Sequence, residues 1–263
     1  MNLGLDGKVS IVGGSSRGLG FACALALSEE GSNIVICGRD KDRLLRAKKT
    51  IEKRTDSKVL ALRTDLSDPS STKNLIDKTI KEFGRIDIFI NNSGGPKPGA
   101  FFDLKDEDWL LAYKQILGST IGLYKLIIPI MKEQEWGRII NITSLAAKEP
   151  NDSLIASTVF RLGVIAIAKV LSKEVAKYNI LINNLCPGAF RTERVKEIIA
   201  ITSKETSKSV EEIEKSILSN YPSGKYGDPN ELASLVTLLV SERINILTGT
   251  SISIDGGKGK SLF

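Results

Sequence analysis

The sequence feature that most constrains the fold is a glycine-rich run that joins a strand-like stretch to a helix-like stretch. Residues 13–20 read Gly-Gly-Ser-Ser-Arg-Gly-Leu-Gly, after the apolar stretch Val9–Val12 and before the helix-like stretch Phe21–Ser28. Such a turn lets backbone N–H groups approach a pyrophosphate, and the helix N-terminus adds partial positive charge. The spacing is G-x-x-x-G-x-G and not G-x-G-x-x-G, and the strand before the turn and the helix after it strengthen the prediction of a phosphate-binding turn.

Short apolar runs alternate with helix-length segments along the whole chain. The predicted strands are Val9–Val12, Asn33–Cys37, Lys58–Leu62, Ile86–Ile90, Arg138–Ile142, Ile180–Leu185 and Thr250–Ile254. The predicted helices include Lys41–Lys53, Pro69–Phe83, Asp106–Lys132, Val159–Lys177 and Pro229–Val240. Strands that are apolar throughout and separated by helices indicate a parallel sheet buried on both faces. The pattern predicts one doubly wound, Rossmann-type α/β domain over residues 1–263, with a central parallel sheet of about seven strands and its ligand at their carboxyl ends.

One segment interrupts this alternation. Residues 204–225 are polar and helix-prone, and they separate two predicted core elements. Segments of this kind close over bound substrates in many enzymes. We expect residues 192–226 to form a substrate lid within the domain.

The composition is that of a soluble globular protein, with 41% hydrophobic and 26% charged residues. No apolar run is long enough to span a membrane, and the N-terminus lacks the basic start and apolar run of a secretory signal. Cys23, Cys37 and Cys186 lie in apolar segments without metal-site spacing, which favours small core residues in a reducing compartment. We expect a cytoplasmic protein that has neither a metal nor a membrane anchor.

Two further features bear on whole classes of function. The chain has no histidine, which excludes a Ser-His-Asp triad, a histidine general base and a histidine-ligated metal. The net charge is +6, and the longest basic cluster, residues 41–49, falls on a predicted surface helix. A solvated helix face explains this cluster better than nucleic-acid binding does, because no basic stripe with interleaved aromatic residues accompanies it.

Six motifs resemble those of the short-chain dehydrogenase/reductase family and follow the family's order. The N-terminal half contributes the glycine turn with Gly14, Gly18 and Gly20, then Asp65-Leu66 after the third strand, and Asn91-Asn92-Ser93-Gly94 after the fourth. The C-terminal half contributes Ser144 at the end of the fifth strand, Asn184-Leu185-Cys186-Pro187-Gly188 with Thr192, and Leu247-Thr248-Gly249 with Asp255-Gly256-Gly257.

The resemblance implies the doubly wound fold, a nicotinamide cofactor and a small-molecule substrate, in a protein similar to the 3-oxoacyl-acyl-carrier-protein reductases. It also implies a homo-oligomer, a dimer or a tetramer, since family members associate through helices that match the apolar stretches Leu117–Ile130 and Leu162–Leu171. The cofactor is expected to contact Gly14, Ser16, Arg17, Gly18, Leu19, Gly20, Arg39, Asp65, Leu66, Asn91, Ser93, Gly94, Arg161, Pro187, Gly188 and Thr192.

The end of the second strand bears on the choice of cofactor. NAD-binding relatives place a carboxylate there to accept hydrogen bonds from the ribose 2′-hydroxyl, whereas this chain has Gly38 at that position. Arg39 and Arg17 can both reach the same corner, and an arginine fork suits phosphate oxygens. We therefore expect NADP(H) to be preferred over NAD(H), although Asp40 follows Arg39 and both arginines could be solvated loop residues.

The chain departs from the family at the catalytic residues. The family's tyrosine position falls on Ser157, its lysine position on Arg161, and its helix asparagine near Ile116, so that Ser144 alone is kept. A serine hydroxyl is far less acidic than a tyrosine that is tuned by a cation. Arg161 keeps the positive charge and can hold the ribose, but it stays protonated. Cofactor binding is expected to survive, whereas standard carbonyl reduction lacks its proton donor.

Three other residues could supply the proton. Lys148 lies four residues after Ser144, and a lysine desolvated in a cleft can exchange protons; otherwise it is a surface lysine. Tyr221 and Lys225 have Y-x-x-x-K spacing, but the intervening Pro-Ser-Gly predicts a turn and not a helix. Tyr113 could face the cleft, although a core or interface aromatic is the more ordinary interpretation.

Two hypotheses about function remain from the sequence. The first is an atypical NADP(H)-dependent oxidoreductase that acts on a small alcohol or carbonyl compound of the 3-oxoacyl, sugar or polyol class. Ser144 would bind the substrate oxygen, Arg161 would hold the ribose, and Lys148 or a water molecule would carry the proton. The second is an NADP(H)-binding protein without redox turnover, acting as a sensor or structural partner.

Overall fold

The computed structural model describes residues 2–262, apart from the side chains of Ile201, Lys204 and Glu205. Met1 and Phe263, the ends of the predicted domain, lie outside the described residues. Strands in the described part pair in parallel in the order β3-β2-β1-β4-β5-β6-β7, which confirms the predicted sheet. Their bounds are β1 Val9–Val12, β2 Asn33–Gly38, β3 Val59–Arg63, β4 Ile88–Asn91, β5 Gly137–Ile142, β6 Ile180–Pro187 and β7 Ser251–Ile254.

Helices connect the strands and cover both faces of the sheet. They are α1 Gly18–Glu29, α2 Lys41–Arg54, α3 Pro69–Phe83, α4 Asp106–Tyr113, α5 Ser119–Glu133, α6 Ile155–Val175, α7 Glu193–Thr206, α8 Val210–Leu218 and α9 Pro229–Val240. Every residue of β1, β4, β5 and β6 is buried, as expected for strands that have helices on both sides.

Two helices begin and end at the residues that the sequence predicts. The Asp68 carboxylate accepts a hydrogen bond from the Ser70 N–H at the start of α3, and Asp228 caps α9 in the same way through Asn230. Each helix has proline at its first position, where no intrahelical N–H bond is lost. Local side-chain chemistry therefore decides these boundaries.

The predicted helix 106–132 is not continuous. A π-helical turn, Lys114–Gly118, separates α4 from α5 around Ile116. The Ser119 hydroxyl donates to the Gln115 carbonyl (2.9 Å), and the Thr120 hydroxyl donates to the Ile116 carbonyl (2.7 Å). Hydroxyl groups that bond to carbonyls of the preceding turn locally disturb helices, which gives this interruption a physical basis.

A ladder of buried amides crosses the sheet next to its carboxyl end. Asn91, Asn141 and Asn184 lie opposite one another on β4, β5 and β6. Asn91 Nδ2 donates to Asn141 Oδ1 (2.8 Å), and Asn141 Nδ2 donates to Asn184 Oδ1 (2.8 Å). The Tyr124 hydroxyl of α5 also donates to Asn141 Oδ1 (2.8 Å). We call this group the amide ladder; it ties α5 to the strands that carry the candidate site.

The sequence predicts no apolar run of membrane-spanning length, but one helix in the described residues is long and apolar enough to cross a membrane by length and composition alone. The segment Ile155–Tyr178, which contains α6, has a mean hydropathy of 1.7 over its most apolar window. One face of this helix is buried in the domain through Ala156, Val164 and Ala168, and α6 contacts β6. A core helix of a globular domain passes the same test, so this segment is weak evidence for a membrane span.

Candidate active site

The glycine turn of residues 13–20 lies at the carboxyl end of β1. Gly14 and Gly18 have positive φ angles of +53° and +61°, which L side chains rarely adopt. Gly20 allows the closest approach, because a Cβ there would lie 2.6 Å from the Gly14 carbonyl oxygen and 2.7 Å from that of Gly13. The turn therefore requires glycine at the three positions of the predicted motif.

Two neighbouring side chains hold the turn in place. Asn92 Nδ2 donates to the Gly13 carbonyl (3.0 Å). The Ser15 hydroxyl accepts a hydrogen bond from the Cys37 N–H (2.9 Å), which ties the turn to β2. Sequence reasoning missed both roles and named Asn91. The adjacent asparagines were a signal, but which of them faces the turn depends on where β4 ends, which is at Asn91.

The first turn of α1 leaves N–H groups available to an anion. Arg17, the residue before the helix, makes no side-chain capping bond, and no acidic residue occupies the first turn. Unpaired N–H groups and the helix dipole together bind phosphate at such a terminus. The donors of this turn therefore fit the pyrophosphate of a dinucleotide.

An arginine occupies the corner where β2 ends. A Cβ on Gly38 would lie 3.5 Å from the Ser16 hydroxyl oxygen, so this corner adjoins the glycine turn. Arg39 follows and is exposed. The Asp40 carboxylate caps α2 by accepting from the Arg43 N–H (3.0 Å), a bond that holds the pKa of Asp40 below its ordinary value. Asp40, the carboxylate that could disfavour a 2′-phosphate at this corner, therefore serves as the N-cap of α2.

The segment after β3 lies beside the same turn. Asp65 Oδ1 accepts from the Ser67 hydroxyl (2.6 Å) and from the Ser67 N–H (2.9 Å), and these bonds hold the pKa of Asp65 below its ordinary value. Leu66 Cδ1 lies 3.2 Å from the position of a Cβ on Gly13. Leu66 is therefore the apolar neighbour of the turn, while Asp65 precedes it in the chain and is bonded to Ser67.

The predicted residues after β4 divide into two groups. Ser93 is half-buried, and Gly94 is exposed, with no atom within 4 Å of a Cβ placed on it. Asn91 is buried instead and donates to Thr120 Oγ1 (2.9 Å) as well as to the amide ladder. Its side chain is thus engaged inside the sheet, while Ser93 and Gly94 lie at the surface of the cleft.

Arg161 brings a positive charge to the carboxyl end of β5. Its Nη1 donates to the Ile142 carbonyl (2.9 Å), two residues before Ser144. Ser157 lies one helical turn before Arg161, and both are buried. No ion pair to Arg161 occurs among residues 2–262, and burial lowers the pKa of its guanidinium to about 10. Arg161 is therefore a buried cation at neutral pH, with N–H donors beyond the one used by Ile142.

Lys148 points towards the edge strand of the sheet. Its ammonium donates to the Ser251 carbonyl (3.2 Å) and to the Ser253 hydroxyl (3.3 Å) on β7. Ser144 itself is half-buried and accepts from the Ala146 N–H (3.2 Å). The structure therefore gives Lys148 partners on β7, while the Ser144 hydroxyl proton is free to be donated elsewhere.

Tyr221 packs beside the end of β6. A Cβ on Gly188, which follows Pro187, would lie 2.9 Å from the Tyr221 ring. Tyr221 is buried, burial raises the pKa of its hydroxyl, and the Lys258 ammonium lies 4.7 Å from its ring centroid. The tyrosine that the sequence paired with Lys225 thus adjoins the predicted nicotinamide segment, but as a weaker acid than an ordinary tyrosine.

Tyr113 belongs to an aromatic cluster. Its ring meets that of Phe160 edge-on at 6.0 Å, and Phe160 meets Trp109 at 6.0 Å. Edge-to-face packing at these distances is a common stabilising arrangement. It supports the interpretation of Tyr113 as a packing residue.

Thr192 begins the predicted lid. Its hydroxyl accepts from the Val195 N–H (3.4 Å) as the N-cap of α7. Arg17 of the glycine turn forms ion pairs with Glu193 (3.1 Å) and Glu197 on that helix. The structure therefore brings Arg17 together with α7.

Known proteins that are similar to this chain share its fold and are reductases. A family model described as Enoyl-(Acyl carrier protein) reductase matches residues 14–258. The chain belongs to the short-chain dehydrogenase/reductase family. It is 32% identical to the NADPH-dependent reductase BacG of Bacillus subtilis over 256 residues, which are 97% of this chain and 99% of that protein.

Two further relatives match at least 96% of this chain. The 3-oxoacyl-[acyl-carrier-protein] reductase FabG of Thermotoga maritima is 28% identical over 96% of this chain and 98% of that reductase. The structure of L-sorbose reductase from Gluconobacter frateurii, complexed with NADPH and L-sorbose, has a TM-score of 0.95 and 28% identity over 100% of both chains. These relatives are reductases, so the comparisons give no support to a cofactor-binding protein without turnover.

Proposed function

We propose that this chain is an NADP(H)-dependent oxidoreductase that acts on a small carbonyl or alcohol compound, with serine and arginine in place of the family's tyrosine and lysine. The observation that carries the proposal is the buried Arg161 guanidinium bonded to the Ile142 carbonyl. It puts a fixed positive charge at the end of β5, where Ile142 precedes Ser144 by two residues in the chain. A doubly wound fold binds its ligand at this edge.

The cofactor would lie along the carboxyl edge of the sheet. The glycine turn would hold its pyrophosphate, Asp65 and Leu66 its adenine, and Ser93, Gly94, Pro187, Gly188 and Thr192 its nicotinamide half. When bound, the reduced nicotinamide supplies a hydride. Arg161 would bind the ribose hydroxyls through the guanidinium N–H groups that Ile142 does not use.

The preference for NADP(H) would come from the corner after β2. Gly38 presents no carboxylate to a 2′-phosphate, and the neighbouring Asp40 is engaged with Arg43. Arg39 is exposed and free of carboxylate ion pairs among the described residues. An arginine fork binds phosphate oxygens in two places at once, which favours the phosphorylated cofactor.

Ser144 and Arg161 would stabilise the substrate oxygen together. The Ser144 hydroxyl would donate a hydrogen bond to it, and the buried charge of Arg161 would stabilise negative charge that develops there. Ser157 is a poor acid, because a serine hydroxyl lacks the acidity of a phenol. Since the Lys148 ammonium already bonds to β7, its position favours a water molecule as the proton source.

The proposal includes a substrate lid and an oligomeric assembly. Residues 192–226, which contain α7 and α8, would form the substrate lid of a single domain. Exposed apolar residues on α6, namely Val159, Leu162 and Val170, fit association into a dimer or tetramer in the cytoplasm. The substrate would be of the 3-oxoacyl, sugar or polyol class.

Substrate-dependent oxidation of NADPH tests the proposal. Wild-type protein is mixed with NADPH and a panel of 3-oxoacyl thioesters, ketoses and simple ketones, and the loss of NADPH absorbance is followed. We expect oxidation with at least one class, and a fall of about 100-fold in kcat for Ser144→Ala with NADPH binding unchanged. Saturable NADPH binding without oxidation by any compound would overturn the proposed reaction.

A further inference from the structure

Arg17 connects the cofactor turn to the helix that opens the predicted lid. Its Nη1 donates to Glu193 Oε2 (3.1 Å) and to Glu197 Oε1, and its Nη2 donates to Glu197 Oε2 (3.3 Å). Arg17 is the residue before Gly18, at the start of α1. One guanidinium in the turn thus holds two carboxylates that lie one helical turn apart on α7.

Two other contacts place α7 against the cofactor cleft. A Cβ on Gly18 would lie 3.7 Å from the Thr192 methyl carbon, so the start of α7 faces the glycine turn. On the other side of the cleft, a Cβ on Gly95 would lie 3.8 Å from Arg194 Nη2. The N-terminal part of α7 therefore bridges the turn after β1 and the loop after β4.

The Glu197 carboxylate also lies in the electrostatic field of the corner after β2. Its pKa is held below the ordinary value by the hydrogen bond from Arg17, with smaller contributions from Arg194 and Arg43. Arg43 belongs to the first turn of α2, the helix that follows Arg39 in the chain. A carboxylate thus lies near the basic groups that would receive a 2′-phosphate.

We propose that Glu193 and Glu197 are cofactor-specificity residues that bind Arg17 until the 2′-phosphate of NADP(H) displaces them, so that NADP(H), and not NAD(H), releases α7 from the glycine turn. This inference rests on the proposed function for the identity of the cofactor. We call the contact of Arg17 with Glu193 and Glu197 the lid latch.

The 2′-phosphate is a stronger partner for Arg17 than the two glutamate carboxylates are, which supports the displacement. The glutamate side chains of the lid latch are 65% and 47% exposed, and exposed ion pairs of this kind contribute little to stability. A phosphate dianion carries more charge than a carboxylate and offers three acceptor oxygens to the guanidinium fork. NAD(H) has a ribose hydroxyl at the same place and cannot compete for Arg17.

Removing the carboxylates should therefore favour the phosphorylated cofactor alone. In the double variant Glu193→Gln/Glu197→Gln, Arg17 has lost both ion pairs, and neither side chain of α7 carries a charge that repels the 2′-phosphate. We expect the Kd for NADPH to fall about three- to tenfold while the Kd for NADH stays the same. The control is Glu174→Gln, which removes an exposed pair with Lys132 (3.3 Å) outside the cofactor site.

The test uses ligands that lack nicotinamide. Calorimetry measures 2′,5′-ADP and 5′-AMP binding to the wild type, the double variant and the Glu174→Gln control, each checked by thermal melting. Hydrogen–deuterium exchange then follows peptides within residues 193–206. We expect 2′,5′-ADP to bind the double variant more tightly, and to speed exchange in this region of the wild type, whereas 5′-AMP does neither.

Two outcomes would overturn the lid latch. The first is equal affinity of the wild type and the double variant for 2′,5′-ADP. The second is an equal change of exchange with 2′,5′-ADP and 5′-AMP. If the wild type binds neither 2′,5′-ADP nor NADPH, the proposed function fails as well, so that the failures of the two proposals can be told apart.

Discussion

Asn141 is the residue of the amide ladder whose replacement should cost the most stability. Its Oδ1 accepts from Asn91 Nδ2 and from the Tyr124 hydroxyl, and its Nδ2 donates to Asn184 Oδ1, each at 2.8 Å. Asn141 is 1% exposed, so water cannot replace these partners. Asn141→Leu keeps the number and branching of the side-chain heavy atoms and removes all three bonds.

The magnitude follows from the groups that are left without a partner. Asn91 Nδ2 keeps its bond to Thr120 Oγ1, whereas the Tyr124 hydroxyl and Asn184 Oδ1 lose their partner. Each buried polar group without a partner costs about 1–3 kcal/mol, so Asn141→Leu should lower the free energy of unfolding by about 2–6 kcal/mol.

Tyr124→Phe is the matched comparison. It removes one hydrogen bond, but Asn141 Oδ1 keeps its bond from Asn91, so the expected loss is about 0.5–1.5 kcal/mol. Urea denaturation followed by circular dichroism measures both variants. An equal or smaller loss of free energy of unfolding for Asn141→Leu than for Tyr124→Phe would show that Asn141 is not the central residue of the amide ladder.

Three further predictions concern the site and its pH dependence. Arg161→Met should lower NADPH-dependent turnover about 100-fold by removing the buried charge, and Arg161→Lys should recover part of it in the same assay. Gly20→Ala should abolish NADPH binding in calorimetry, because its Cβ would meet two carbonyl oxygens, while Gly122→Ala, which has open space, should leave binding intact. Burial raises the pKa of Cys23 and Cys37 from 9.0 to about 12. Between these pH values the folded state therefore holds more protons than the unfolded state, so the free energy of unfolding should fall as the pH rises from 9 to 12. Urea denaturation at a series of pH values measures this change. Rapid labelling of both thiols in the native protein at neutral pH would contradict this last expectation.

The parts of the fold that sequence predicts well are those decided by local chemistry. The bounds of α3 and α9 follow from an aspartate cap and a proline at the first helical position, and both signals are visible in the chain. The glycine turn is equally local, because positive φ angles and close carbonyl contacts require glycine at fixed spacing. Periodicity then identifies the strands to within about two residues.

Features that depend on distant partners could not be predicted in this way. Asn91 and Asn92 are adjacent, yet Asn91 joins the amide ladder as the last residue of β4, whereas Asn92 follows the strand and holds the glycine turn. Lys148 bonds to Ser251, more than 100 residues away in the chain. The lid latch likewise joins Arg17 to α7 across a long separation, and no local pattern indicates such a pair.

Calorimetric titration of wild-type protein and Arg39→Ala with NADPH and NADH tests the cofactor site at the corner after β2. We expect the wild type to bind NADPH more tightly than NADH. We expect Arg39→Ala to weaken NADPH binding about 10- to 100-fold through loss of charge-assisted hydrogen bonds, with NADH binding unchanged. Equal binding of the two nucleotides, or an equal loss of both in the variant, would contradict the assignment of the 2′-phosphate corner. Binding of neither nucleotide would contradict the cofactor site as a whole.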